Sequence, residues 1–455
     1  MLTSTTSKVA DEYLRECVEP RSRLLRAVDA LRLPPIHDVA YGATQLDRPL
    51  FVPGERIHAF ADDVTTLLGA LTRLPAALHH GDVAAFCARL GTSPRLTALL
   101  TRHPELPLPV HARADAYHDG TGFRLLELKV GSEPGGVDAA QANRAWLGVP
   151  AFADFAERHG LEHVDTAARL AATLRRAAAD VTAREPVVAL VEARHRLAAH
   201  ELALRSLQEA MAAQGLTLLL GEIQELGRIG RKITLRGRPL DVVLRHARAG
   251  DLADDPAAAP VLDALARSHT DRGTVLFTPL LSGVFGSTAA LALLHDPAVR
   301  EVLTDAERGT VDRVVPWTAR VSDALHDGAA AELLDRIRAE RADLVLKPGL
   351  GSTGQGGYGG QGTVMGSEVS DEEWLRQLAQ RRHGDDVVQR RVRPATEPVV
   401  DPRTGEAEDW AAAWGVFVDD AGYAGSVVRA LRPQDGPVVS DANAATRGAC
   451  VFTTP

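Results

Sequence analysis

Aromatic residues make up only 4% of this 455-residue chain, which leaves it without the stacking platforms that hold nucleic-acid single strands. The formal net charge of -9 supplies no basic field either, so nucleic acid is not an expected partner and any phosphate must be held by a local site. Three cysteines, Cys17, Cys87 and Cys450, lie far apart without metal-ligand spacing, and an odd count suits no disulfide framework; a reducing cytosol is expected. The N-terminus has no apolar h-region and no window approaches the roughly 20 apolar residues of a membrane span, so neither secretion nor membrane insertion is expected. G-x-S-x-G, H-R-D and D-F-G motifs are all missing, which removes support for α/β-hydrolase and protein-kinase chemistry.

What is present is a long chain, 45% hydrophobic, that exceeds one ordinary domain and predicts two or three packed lobes. Ala, Arg and Leu dominate and Lys is scarce, a bias that reads as genomic base composition. Residues 1–105 alternate helical patterns with Pro breaks: Leu24, Leu25, Val28 and Leu31 share a face, as do the apolar residues of 64–74. From Val110, VHARADAY and FRLLELKV flank the turn residues 118–122 and predict a β-hairpin. Residues 186–300 read as an α/β segment, with strands in PVVALVEA, LTLLLG, LDVVLRH and TVLFTPLL and a helix from His195 to about Ala213. GDLADDPAAAP reads as a surface loop. The remainder predicts antiparallel strands, among them DLVLKP, GTVMG, DVVQRRV, AWGVFVD and AGSVVRAL, with helices near 329–338 and 372–380.

Residues 347–366, KPGLGSTGQGGYGGQGTVMG, contain a formal G-x-G-x-x-G at Gly354, Gly356 and Gly359. A dinucleotide fingerprint requires those glycines to open a helix, whereas GTVMG is strand-like, and no Lys-Ser or Lys-Thr completes a P-loop. A strand ending in Lys347, a glycine loop and a returning strand instead suit a lid over a triphosphate, because residues without Cβ let backbone N–H groups approach phosphate oxygens. The plain alternative is a flexible linker.

On the hairpin, period-2 geometry puts Arg113 and Asp115 on one face of their strand and Glu127 and Lys129 on one face of the other. Two carboxylates there could hold Mg²⁺ through oxygen ligands, with Arg113 on a carboxylate or phosphoryl group. A solvated face with cross-strand ion pairs accounts for the same residues. His195 and His200, five apart on the predicted helix, do not share a face as H-E-x-x-H zinc ligands would, and read as surface residues.

Taken in order, Arg113-x-Asp115, Glu127-Leu-Lys129, VLKP with the Gly-rich loop, VVQRRV at 387–392 and YAGSVVRA at 423–430 resemble the glutathionylspermidine-synthase-like and circularly permuted ATP-grasp ligases, from about residue 106 to the end. The resemblance implies an α/β (α+β) ATP-grasp fold of the glutathionylspermidine and glutathione synthetase-like type. Its parts would be a helical N-terminal subdomain (1–105), a first core segment with the metal-binding hairpin (106–185), an α/β substrate segment (186–310), and a lid with a β-rich core (311–455). It implies an ADP-forming carboxylate–amine ligase using ATP and Mg²⁺ on small-molecule acid and amine substrates, with natural-product assembly plausible for a high-GC bacterium. Asp115 and Glu127 would bind Mg²⁺. Lys347, Gly354, Gly356, Gly357, Tyr358, Gly359 and Gly360 would meet the phosphates, and Gln389, Arg391 and Val392 the adenine. Arg113 and Arg429 would sit at the reacting carboxylate, and Ser132, Asn443 and Arg447 are candidate substrate contacts. Two positions depart from the family pattern. Lys129 stands where an Asn ligates metal, and Ser287-Thr288 replaces an Asn-Lys step that supplies a nucleotide-binding Lys; either the site is reorganised, in which case Lys129 could itself reach a phosphate, or activity is lost. A non-catalytic nucleotide- or metabolite-binding protein on the same fold is the rival reading.

Overall fold

The structure, a computed structural model, describes residues 7–19, 21–34, 36–37, 44–131, 135–326, 330–349, 362–440 and 443–455. Its largest sheet is antiparallel, in the order Arg447–Ala449, Gly422–Leu431, Ala407–Asp419, His111–His118 and Phe123–Val130, with Thr396–Val400 also pairing the long strand Ala407–Asp419. Alternation gives this sheet two unlike faces. Ala112, Ala114, Ala116, Leu128, Trp414, Val416, Val428 and Ala430 belong to the main core, whereas Arg113, Asp115, Glu127, Lys129 and Arg429 occupy the alternate positions. The helix Gly54–His79 packs against the sheet's two longest strands. Phe60 on that helix meets Phe123 of the hairpin with ring centroids 4.9 Å apart; burying such a ring contributes about 1.5–3 kcal/mol.

The hairpin turn is closed by Asp119, whose Oδ1 accepts from the N–H groups of Thr121 and Gly122 at 2.8 and 3.0 Å while Oδ2 accepts from Arg124 Nε at 2.7 Å. Such an Asx turn is the reason Asp at this place sets the hairpin register. Residues 50–53 and 451–454 pair in parallel, so the N-terminal segment is joined to the final strand.

Strands Val187–Glu192, Thr217–Glu222, Val242–Arg245 and Val275–Phe277 form the expected open sheet, all parallel, in the order 275–277, 242–245, 187–192, 217–222. A further antiparallel sheet runs Thr318–Arg320, Val387–Arg390, Leu344–Lys347, Val364–Met365. One of its faces, with Leu344, Leu346 and Val388, forms a separate small core with Ile337, Trp374 and Leu378 from the helices Ala330–Ala339 and Asp371–Gln380. Its other face carries Val345, Lys347, Val387 and Gln389.

Three local expectations are corrected. The stripe Leu24 to Leu31 yields only a 3₁₀ turn, Ala27–Ala30, between bends. GDLADDPAAAP is helical at Ala249–Asp254 and again from Ala258, because Leu252 is buried and Asp255 accepts the Ala257 N–H between the two helices. The predicted helix at His195 begins as a regular α-helix only at Glu201; His195 is left-handed (φ 62°) and a 3₁₀ turn, Leu197–His200, intervenes.

Candidate functional site

Asp115 and Glu127 are register partners on adjacent strands, as are Arg113 and Lys129, so all four side chains meet on one face. Arg113 donates from Nε and Nη2 to the two oxygens of Asp115 at 2.7 and 3.0 Å. Lys129 Nζ lies 3.3 Å from Asp115 Oδ2 and 2.9 Å from Glu127 Oε1, in the bridging place between the two carboxylates. Burial alone would raise the Asp115 pKa; the charges of Arg113, Lys129 and Arg429 outweigh it and hold the carboxyl at about 2. The carboxylate side chains remain 26% and 30% exposed, open enough to meet a ligand.

Register slips between Asp115 and Ala116, leaving Leu126 as the extra residue of a β-bulge. A bulged residue loses its ladder partner, and here its carbonyl accepts from Lys347 Nζ at 2.8 Å. The same ammonium donates to Gln389 Oε1 at 2.7 Å, and Gln389 Nε2 in turn donates to Thr318 Oγ1 at 3.1 Å. Burial pulls the Lys347 pKa down to about 8, against the opposing pull of Glu127 and Asp115. The last residue before the glycine-rich stretch is thus fixed beside the hairpin carboxylates, and the two antiparallel sheets face one another across this point.

The other sequence-derived candidates divide. Arg429 pairs with Ala413 across the sheet and acts electrostatically on Asp115, so it joins the cluster. Gln389 is buried as a link between Lys347 and Thr318. Arg391 and Val392 begin the extended connection 391–395 between the two sheets, with the Arg391 N–H donating to the Asp343 carbonyl at 2.8 Å and its side chain to Ser367 Oγ at 3.0 Å. Asn443 is occupied in a turn, donating to the Asp435 carbonyl and accepting from the Ala445 N–H. Arg447 does not join the cluster: its register partner is Ala430, which places it on the opposite face from Arg429, paired with Asp47 at 3.0 Å and lying over the Trp410 ring. Gly354, Gly356, Gly357, Tyr358, Gly359, Gly360 and Ser132 lie outside the described residues. Ser287 caps the helix Thr288–Leu293, and Thr288 Oγ1 lies 3.5 Å from the Pro348 carbonyl at the root of the glycine-rich stretch.

Two further residues escaped the sequence reading. Gly415, the register partner of Asp115, has no room for a side chain: a Cβ would sit 3.0 Å from Arg113 Cδ and 3.2 Å from Asp115 Oδ1. Its lack of Cβ is what lets that ion pair lie flat across the sheet, and a lone Gly inside a strand pattern was the available signal. Arg245 ends the apolar strand Val242–Arg245 buried, donating to the carbonyls of Thr278 and Ala247 at 2.9 and 2.7 Å. Burial lowers its pKa to about 10. A Cβ on Gly131, just beyond the hairpin, would lie 3.7 Å from its Nη2, so Arg245 borders the same region.

A carboxylate-bearing hairpin sheet facing a second sheet whose strand ends in Lys, with a parallel α/β segment between them in sequence, defines an ATP-grasp fold of the glutathione synthetase-like type. No family model and no curated protein matches the chain. Among solved structures, the glutathione synthetase-like effector from Globodera pallida, in its apo form, aligns over 96% of this chain and 99% of its own, at 12% identity and a TM-score of 0.58. A "putative gamma-glutamylcysteine synthetase" from Methylobacillus flagellatus aligns over 81% and 87% at 13% identity and a TM-score of 0.42. The first likeness spans nearly both whole chains and establishes the fold.

Proposed function

We propose that the protein is an ATP-dependent, ADP-forming carboxylate–amine ligase acting on small-molecule substrates. The observation that carries this reading is Lys347: the cation that starts the glycine-rich stretch is held 2.8 Å from the bulged Leu126 carbonyl, within electrostatic reach of Glu127 and Asp115. A triphosphate laid there would meet Lys347 on one side and the hairpin on the other; the glycine-rich loop, which lies outside the described residues, would add backbone N–H groups. Arg113 and Arg429 would neutralise the carboxylate as it takes up a phosphoryl group and the oxyanion formed when the amine attacks, before phosphate departs with an amide left behind. Positioning and preorganised charge would supply most of the acceleration.

Asp115 and Glu127 are oxygen donors of the kind Mg²⁺ prefers, but the bridging place between them holds Lys129, so we assign the pair no more than one ion. When bound, it would offset phosphate charge. Three free, buried thiols suit a cytoplasmic setting; among the described residues no helix is long and apolar enough to cross a membrane. Peptide-like natural-product assembly is our reading of the pathway context.

The position of Lys129 favours a second reading, a nucleotide- or metabolite-binding protein without catalysis. ADP release measured over a panel of amino acids and amines, beside ATP thermal shifts with Mg²⁺, separates the two. ADP formation with one acid–amine pair supports the ligase. Stabilisation by ATP with no acceptor yielding ADP supports the binder.

A further inference from the structure

Outside the nucleotide site, the α/β segment gathers a second set of chemistry-bearing side chains. Strand order in its parallel sheet runs outward in both directions from the pair Val187–Glu192 and Val242–Arg245: the chain leaves the first toward Thr217–Glu222 on one side and returns on the other. This pair is therefore the topological switch point, where open α/β sheets form a crevice at the carboxyl ends of their strands. Glu192 is the last residue of its strand, and His246 follows directly on Arg245. His200 comes from the 3₁₀ turn above Glu192, and that turn is held down by the Leu197 N–H donating to Glu222 Oε1 at 3.1 Å.

The three side chains converge closely. His200 Nδ1 and His246 Nδ1 both donate to Glu192 Oε1, at 2.7 and 2.6 Å, and one ligand atom from each residue lies within 4.8 Å of the others. His200 is thus engaged with a buried carboxylate and is not the plain surface residue that its sequence spacing predicts. Glu192 is 4% exposed. A carboxylate this deep needs a counter-charge, and elsewhere this Arg-rich chain supplies one from Arg: Arg48 to Glu397, Arg169 to Asp419, Arg381 to Asp386. Among the described residues no Lys or Arg ion-pairs with Glu192; its close side-chain partners are two imidazoles. Imidazoles differ from guanidinium groups in that they can exchange a ring proton for a metal ion.

We propose that Glu192, His200 and His246 form a binding site for a divalent first-row transition ion, of the two-histidine, one-carboxylate class, at the switch point of the α/β segment. Two His and one Glu are a donor set that Zn²⁺ and non-haem Fe²⁺ accept and Mg²⁺ does not favour, and three protein ligands leave coordination positions open for water or a ligand in the crevice. With metal–ligand bonds of about 2.0–2.2 Å in a tetrahedral arrangement, an ion between the three needs the carboxylate oxygen and each imidazole nitrogen roughly 0.6–1 Å further apart than the hydrogen bonds hold them, a movement within the reach of side-chain rotation. Each ring nitrogen that ligates gives up its proton, to Nε2 of the same ring or to solvent.

The site is independent of the nucleotide reading and is tested without any activity assay. Metal-free protein is titrated with Co²⁺, followed by its visible d–d absorption, and with Zn²⁺ against a chromophoric chelator. One equivalent of Co²⁺ with bands of four- or five-coordinate geometry is expected, with Zn²⁺ displacing it. His200→Ala and His246→Ala should each weaken Zn²⁺ binding by at least about tenfold, because a lost ligand costs no less than a lost supporting partner. Glu192→Gln, which keeps the side-chain size, should do the same, while Asp115→Asn should keep the Co²⁺ bands. Absence of stoichiometric Co²⁺ binding to the unmodified protein, a result that needs no variant to fold, overturns the proposal. So do bands that survive in His246→Ala, or that vanish in Asp115→Asn instead.

Discussion

Lys129 lies 2.9 Å from Glu127, two residues away on the same strand, and from there its ammonium also reaches Asp115. Only four of the 51 Lys and Arg residues are Lys, and two of those four, Lys129 and Lys347, act on this carboxylate pair. An ammonium is a compact point charge, whereas the planar guanidinium demands a bidentate partner. Arg113 takes the bidentate role on Asp115, and Lys129 fills the narrow bridge that remains.

Lys129→Asn removes that bridge. If the ammonium shares its charge between the carboxylates and an incoming phosphate, ATP affinity should fall by about tenfold, ~1.4 kcal/mol, in line with a hydrogen bond to a charged group. The loss should be greatest without Mg²⁺, since an added divalent ion can occupy the vacated place. Calorimetric titration with and without Mg²⁺ reads this out; unchanged affinity in both would remove Lys129 from the nucleotide site.

Lys347 makes the affinity depend on pH. Its free-state pKa of about 8 lies below the usual lysine value, so the ammonium is lost as pH rises through 8, and an anionic ligand then meets a neutral amine. ATP affinity should decline above pH 8 by up to about tenfold per unit, the limit for one linked proton. Stability moves the other way. Between pH 8 and about 10.5 the unfolded chain binds the proton that the folded one has released, so the burial penalty on Lys347 fades as pH rises. Lys347→Met should bind ATP weakly and show neither pH effect.

The hairpin, the strands on either side of the glycine-rich stretch and the parallel sheet were legible because each rests on local alternation or an apolar run bounded by turn residues. Arg113, Asp115, Glu127 and Lys129 could be paired from period 2 alone. Arg447 misled because strand parity is settled only by its partner: opposite Ala430 it lies on the other face from Arg429 and the carboxylate cluster, and no motif in NAATRGACVF carries that register. The GDLADDPAAAP helices were hidden by acidic residues whose counter-charges, Arg95, Arg194 and Arg196, lie 55 to 159 residues away on other elements. His246 and His200 meet through Glu192, a tertiary coincidence of a strand end and a 3₁₀ turn that spacing along one helix cannot express.

Asp115 should set part of the acid stability. Its carboxyl is held at about 2 in the folded chain against an ordinary 3.8, so its contribution is fully present above pH 4 and is lost as pH falls toward 2. That difference corresponds to at most about 2 kcal/mol. Asp115→Asn should therefore unfold at lower urea concentration at pH 7, and the gap from the unmodified protein should narrow as pH falls below 4 and close only below about pH 2. A gap as large at pH 2.5 as at pH 7 would mean that packing, not charge, accounts for it.

Gly415 gives the sharpest separation of site from scaffold. Its absent Cβ leaves the space over which Arg113 lies against Asp115, and the same Cβ would come 2.9 Å from Val427 Cγ1. Arg113 is a flexible side chain and can yield, whereas Val427 belongs to a small buried cluster with Phe417 and Ala424 and has less freedom. Gly415→Ala should therefore cost about 1–3 kcal/mol, the range for overpacking, and turn Arg113 away from Asp115. Released from that clamp, Asp115 loses its strongest neighbouring charge and its pKa should rise toward the ordinary carboxylate value, which an NMR titration of the side-chain carboxyl detects. A variant that melts lower yet keeps the Asp115 pKa near 2 would show that the strand, and not the Arg113–Asp115 pair, absorbs the added methyl group.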